Sequence, residues 1–161
     1  MAVDFFLKLD SIDGESVADG HTNEISLLSF SWGGSQVSSV AGTGGSGAGK
    51  VSLENIHVMK YYDKSSPSLF KALISGTHIK TGVLSACKSG VDGGGGKPFL
   101  KVSFEELFVT NLSVSGSSEV PAESVSFSYN KIKVEYSTQD EKGILTAVAA
   151  VSYDLKANKV S

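Results

Sequence analysis

Apolar residues recur at every second position through most of this chain, and that spacing constrains the fold to half-buried β-strands. Val3, Phe5, Leu7 and Leu9 share one face of a first strand. Leu28, Phe30 and Trp32 share one face of a second, with Ser29 and Ser31 pointing the other way. Val51 and Leu53 fall on one parity and Ile56 and Val58 on the other. That switch predicts a bulge, or a change of strand partner, near Asn55. Leu100, Val102 and Phe104 mark a later strand, and Leu112 and Val114 another. Val125, Phe127 and Tyr129 run on into Ile132, Val134 and Tyr136 if a bulge sits near Asn130 and Lys131. The run from Ile144 to Leu155 is apolar on both parities, which predicts a strand covered on both faces.

One segment departs from the rhythm. Residues 66–75 carry a helix signature, with Leu69, Phe70, Leu73 and Ile74 as the apolar stripe. Ser66 is placed to cap the helix, Pro67 suits its first position, and Gly76 suits the left-handed residue that ends it. At this length, packing rather than propensity must hold the helix.

The 161 residues favour a single domain over 1–161 with one core. The 27 serines and 18 glycines, against three prolines, fit many strands joined by turns. All 14 basic residues are lysine and the net charge is −3. Without arginine forks for phosphates and bases, a nucleic-acid partner is not expected. Cys87 is the single cysteine, so the chain folds without an internal disulfide and suits a reducing compartment. No apolar run reaches the length of a membrane span, and Met1-Ala2-Val3-Asp4-Phe5 lacks the basic start of a cleaved signal.

Catalytic patterns stay at background. Gly42-x-Gly44-x-x-Gly47 imitates a dinucleotide loop, but a strand follows it where a helix N-terminus is needed. Gly44 to Lys50 imitates a phosphate loop, but Val51 stands where a hydroxyl should reach magnesium. No Gly-x-Ser-x-Gly elbow and no His-x-x-x-His or Cys-x-x-Cys spacing occurs. His57 reads as a satisfied sheet histidine, and Cys87 as a small core residue at the end of an apolar strand. Glu105 and Glu106 are neighbours on a strand and point to opposite faces, which spoils them as an acid–base pair. No enzyme, cofactor or metal is expected. Binding and assembly remain, because an open-edged β domain must hide its edges or use them.

Several segments together resemble the hemolysin-coregulated protein (Hcp) family of type VI secretion. They are Gly14-Glu15-Ser16, His21-x-x-Glu24-Ile25, Ser31-Trp32-Gly33-x-Ser35-Gln36, Gly47-Ala48-Gly49-Lys50-Val51, Lys60-x-x-Asp63-Lys64-Ser65-Ser66-Pro67 and Glu123-x-Val125-x-Phe127, in that order. The resemblance implies a compact β-barrel of two packed, mainly antiparallel sheets with one short flanking helix. It implies hexameric rings that stack into the inner tube of a contractile apparatus, between a tip spike, a sheath and a baseplate. Small effectors travel in the lumen, and export from the cytoplasm needs no cleaved signal. By the same resemblance Ser31, with Ser29, faces the lumen and its cargo. The loop holding Gly42, Gly44, Gly45, Gly47, Gly49 and Lys50 reaches toward neighbouring subunits or rings. Asp63 to Pro67 caps the helix, and Glu15 and His21 are candidates for subunit contacts. The competing readings are a tail-tube subunit of another contractile machine and, more remotely, a small β-barrel enzyme.

Overall fold

A computed structural model describes residues 2–36, 51–88, 97–140, 142 and 144–161. In chain order its elements are β1 (Val3–Leu9), β2 (Ile25–Leu27), β3 (Ser29–Ser31), β4 (Gly34–Ser35), β5 (Ser52–Leu53) and β6 (Ile56–Tyr61). Then come α1 (Ser65–Ser75), β7 (Ile79–Lys88), β8 (Leu100–Ser115), β9 (Ala122–Ser128), β10 (Lys131–Gln139), β11 (Leu145–Asp154) and β12 (Lys159–Val160). Every ladder among them is antiparallel.

β8 belongs to both sheets. Its first half pairs with β7 and β10, within the order β12-β11-β10-β8-β7-β1-β2. Its second half pairs with β9, which continues to β6 and β3. The strand turns the corner around Glu106, whose φ of 52° is left-handed, and the register slips between Val109 and Asn111. Asn130 braces the corner: its backbone N–H donates to Glu105 O at 3.0 Å and its side-chain amide donates to Glu106 Oε2. One sheet sends Leu7, Leu84, Val102, Phe104 and Ile132 into the core; the other sends Ile56, Val58, Val125 and Phe127, and the helix adds Leu69 and Ala72.

Several expectations from the periodicity hold. The parity switch at Asn55 is a change of partner, since β5 pairs with β4 while β6 pairs with β3 and β9. Others need correction. Leu28 is exposed, because the chain breaks there between β2 and β3; Ile25 and Leu27 take the core positions, and only Phe30 and Trp32 pack against them. Leu112 and Val114 continue β8 rather than forming a strand of their own. Residues 129–130 form a connection between strands of different sheets, not a bulge.

The helix is also corrected. Gly76 ends it at φ 64°, as the sequence predicts. Half of the apolar stripe is not buried, however: Phe70 is 52 % and Ile74 68 % exposed, while Ala72 faces inward. Ser66 is not the cap. Lys64 stands at the N-cap with no side-chain cap bond, and Asp63 just before it accepts at Oδ1 from the Ser65 N–H at 2.9 Å and from the Ser65 hydroxyl. Ser66 turns inward onto a buried ion pair.

That pair joins Lys60 of β6 to Glu123 of β9, which are opposite each other in register. Lys60 is 0 % and Glu123 1 % exposed, and Nζ lies 2.7 Å from Oε1. Asp63 Oδ1 at 3.0 Å, the Ser66 hydroxyl at 2.8 Å and the Tyr61 carbonyl at 3.1 Å complete the shell of Nζ. Ser66 accepts from the Asp63 N–H and donates to Glu123 Oε1 at 3.0 Å. Burying charge is costly unless it is paired and fully hydrogen-bonded, and removing one partner of such a pair destabilises by about 3–5 kcal/mol. Lys60→Met should therefore lower stability by about that amount. The double change Lys60→Met/Glu123→Leu should recover most of it. Denaturant midpoints from Trp32 fluorescence check this; a double variant no better than the single would show that the pair's charge is not what matters.

Candidate functional site

The outer face of β3-β6-β9-β8 is the surface on which the predicted cargo residues fall. Side chains opposite each other in a ladder share a face. Across this sheet one row therefore reads Ser31, His57, Ser126, Asn111, and the next Ser29, Met59, Ser124, Ser113. A third holds Tyr61, Ala122 and Ser115. These outward positions carry hydroxyls, one amide, one imidazole, one thioether and one phenol, and no Lys, Asp or Glu. The charged residues of β6 and β9, Lys60 and Glu123, point into the core. Ser29 and Ser31 are exposed, as the alternation predicts. Local bonds organise the face: His57 Nδ1 lies 2.6 Å from Ser126 Oγ, Asn55 donates to Thr110 Oγ1 at 3.1 Å, and Thr110 donates to the Ser126 carbonyl at 3.2 Å. His57 is thus the satisfied sheet histidine the sequence predicts.

A second surface was not legible as a site. β11 is apolar from Leu145 to Val151 apart from Thr146, and these residues are exposed on both faces of the strand. The expectation of a strand covered on both sides fails for the single chain, where Val148 is 58 % and Val151 55 % exposed. A groove of about 470 Å³ runs along one side, lined by Trp32, Leu53, Ile132, Val134, Val151 and Tyr153. Another of about 450 Å³ lies by Phe99, Tyr136, Val148 and Ala150. β12 covers the outer edge of β11 only at Tyr153 and Asp154, with Ser152 and Ser161 exchanging backbone bonds beside it. Among the described residues, no strand pairs with that edge from Leu145 to Val151.

The remaining candidates are placed as follows. Gly42, Gly44, Gly45, Gly47, Gly49 and Lys50 lie outside the described residues. Glu15 is exposed. His21 is buried and stacks on Phe6 at 4.4 Å, which overturns its reading as a subunit contact. Its Nδ1 lies 3.0 Å from Glu24 Oε2 and its Nε2 3.3 Å from Cys87 Sγ. The result has the outline of a Cys-His-Glu triad without its chemistry. Burial, with Glu24 and Asp4 adding to it, pushes the Cys87 thiol up to about 11, so it carries almost no thiolate at neutral pH. The cluster clamps the 10–24 loop onto β1 and β7. Gly14 shares in that closure, since a Cβ there would fall 2.5 Å from the Glu24 carbonyl. The described residues contain no group of three or more metal-ligating side chains, and no helix long and apolar enough to cross a membrane.

Residues 6–136 match the family described as type VI secretion system effector, Hcp. The protein hcp1 of Pseudomonas aeruginosa is 37 % identical over 145 residues, which cover 89 % of this chain and 88 % of that one. The chain belongs to the Hcp family. Hcp1 from Salmonella typhimurium superposes with a TM-score of 0.77 at 36 % identity, over 100 % of both chains. A structure described as a type six secretion system protein superposes with a TM-score of 0.90 at 30 % identity, over 99 % of this chain and 100 % of the other. Hcp proteins are secreted structural components of the type VI tube and form hexameric rings. The relationship favours the type VI tube over a tail tube of another machine. The Lys60-x-x-Asp63-x-x-Ser66 pattern, with Glu123, is the buried ion pair and its shell.

Two buried groups set the alkaline limit of the fold. Burial raises Cys87 from 9.0 to about 11, and burial, with Glu54 beside it, raises Tyr129 from 10.0 to about 12. The Tyr129 hydroxyl donates to the Glu54 carbonyl at 2.8 Å. Both groups hold their protons more tightly when folded. Their contribution is complete below about pH 9 and is lost as pH climbs through the raised values, at up to about 1.4 kcal/mol per pH unit for each group. Denaturant midpoints from pH 7 to 11 should stay level and then fall from about pH 9. In Cys87→Ser the fall should begin about one unit later, at the onset set by Tyr129. An unchanged onset in that variant would remove Cys87 from the explanation.

Proposed function

We propose that this chain, folded as one Hcp-like domain over 1–161, is the inner-tube subunit of a type VI apparatus. Six copies close a ring, rings stack beneath a tip spike within sheath and baseplate, and small effectors ride in the lumen. The subunit is made in the cytoplasm and leaves without a cleaved signal. β11 carries the assembly half of this reading. A long, flat, apolar and uncharged edge strand is an aggregation hazard in a monomer, and native proteins blunt such edges or pair them. Among the described residues no charge, proline or covering element protects residues 145–151, so a neighbouring copy is the proposed cover for the strand. A closed ring is built from one heterologous contact repeated at a fixed angle, so β11 of one copy meets a different surface of the next.

The uncharged face of β3-β6-β9-β8 carries the transport half. A wall of small uncharged hydroxyls and amides offers weak contacts to many surfaces and strong ones to few. That suits a lumen that must hold a cargo and let it go. Ser31 and Ser29 are its proposed contact points, and the loop with Gly42, Gly44, Gly45, Gly47, Gly49 and Lys50 is the proposed stacking element. Glycine-rich loops that order on contact lose entropy in doing so, which keeps such contacts reversible.

Native mass tests the ring directly: six copies of the 16.8 kDa chain make a species of about 101 kDa. Val148→Asp should reduce it to monomer while the circular dichroism spectrum stays that of the parent. A hexamer that survives Val148→Asp would take β11 out of the interface, and a strict monomer for the parent would end the tube reading. Deleting residues 42–49 should leave rings intact and suppress tubes in negative stain. Tubes that form as well as in the parent would remove that loop from stacking.

A further inference from the structure

Among the described residues, the rows of the face assigned to the lumen hold one imidazole, His57. We propose that His57 determines the kind of cargo the ring holds: acidic surfaces, gripped when the imidazole is protonated and loosened when it is neutral. This rests on the reading of the hydroxyl face as the lumen.

The surroundings of His57 leave its charge unanswered within the subunit. β3 places Ser31 opposite it, β9 places Ser126 opposite it on the other side, and β8 places Asn111 one strand further on. On β6 itself the neighbours along the face are Asn55 and Met59. The nearest carboxylate along the chain, Glu54, has its side chain against Gly33 at the end of β3. Lys60 and Glu123 of the adjoining positions are buried on the opposite side of the sheet, where they pair with each other and Lys60 also meets Asp63. Among these described neighbours on the face, a protonated His57 therefore has hydroxyls, amides and a thioether around it and no carboxylate, so its counter-charge comes from what the ring contains.

The change does not threaten the fold. Ser126 Oγ, 2.6 Å from Nδ1, accepts from a protonated ring and equally donates to, or accepts from, a neutral one, because a hydroxyl turns to suit. In a ring the imidazole repeats six times at one height around a concave wall. Concave walls of one sign focus the field and raise the local concentration of the opposite charge. Aspartate- and glutamate-rich surfaces are the complementary partners.

The test uses assembled parent rings and a rhodamine-labelled decaglutamate peptide, followed by fluorescence anisotropy at low salt. Binding should be about tenfold tighter at pH 5.5 than at pH 7.5, and decalysine should show no such gain. His57→Gln should bind weakly and equally at both pH values, and His57→Lys tightly at both. A pH gain that persists in His57→Gln, or none in the parent, overturns the proposal. Monomeric Val148→Asp separates this from the lumen reading. If the monomer keeps the His57-dependent gain at full strength, His57 binds acidic peptides but not as a lumen residue, and the lumen reading fails. If the gain needs the ring, both stand.

Discussion

The Lys60–Glu123 ion pair is the contact on which the uncharged outer face of β3-β6-β9-β8 depends. It lies between facing positions of β6 and β9, so it exists in only one register. A slip of one residue would turn every side chain of β6 to the opposite face and drive Lys60 and Glu123 apart. The same slip would bury His57, Met59 and Ser126. By making the alternative register expensive, the pair fixes which side of the sheet is uncharged. Through Asp63 and Ser66 it also anchors the first turn of the helix to the sheet, while Leu69 and Ala72 hold the rest of it against the core. A buried pair is weak evidence of net stability, but it is an effective means of specifying one arrangement.

Local patterning was enough to read the strands and to place the hydroxyls of β3 on an outward face. Alternation at Leu100–Phe104, Ile56–Val58 and Val125–Phe127 is a direct consequence of one buried face, and it needs no knowledge of the partner strand. The change of partner at Asn55 was legible for the same reason. The corner in β8 was not. A 16-residue strand shared by two sheets looks, along the chain, like two strands with a gap near Glu106. Ser66 was misread because a serine before a proline is a good cap in isolation, and only the fold shows a buried lysine waiting for its hydroxyl. Cys87 lies 66 residues from His21, so its joining to the His21-x-x-Glu24 pair had no local signal.

The most instructive mismatch is β11. Its apolar residues on both parities do mean coverage on both faces, but the pattern does not say whether the cover belongs to the same chain. Among the described residues it does not: residues 147–151 are exposed, and no strand pairs with their outer edge. Phe70 and Ile74 on the helix show the same ambiguity, since an apolar helical stripe predicts burial without naming what buries it. In an assembling subunit, the hydrophobic pattern encodes the core and the interfaces in one alphabet.

Charge separates the two kinds of surface. The assembly strand is apolar and open-edged, so it is driven to exclude water and to pair its backbone. The outer face of β3-β6-β9-β8 is polar and uncharged, so it stays wetted and makes no strong pair with anything it touches. A tube needs both. On the proposed reading, subunits hold each other through the first surface and cargo parts readily from the second. Placing lysines along that wall would trap acidic cargo at every pH, and carboxylates would trap basic cargo. A single histidine per subunit is the least charge that still discriminates, because it can be withdrawn by a change of pH.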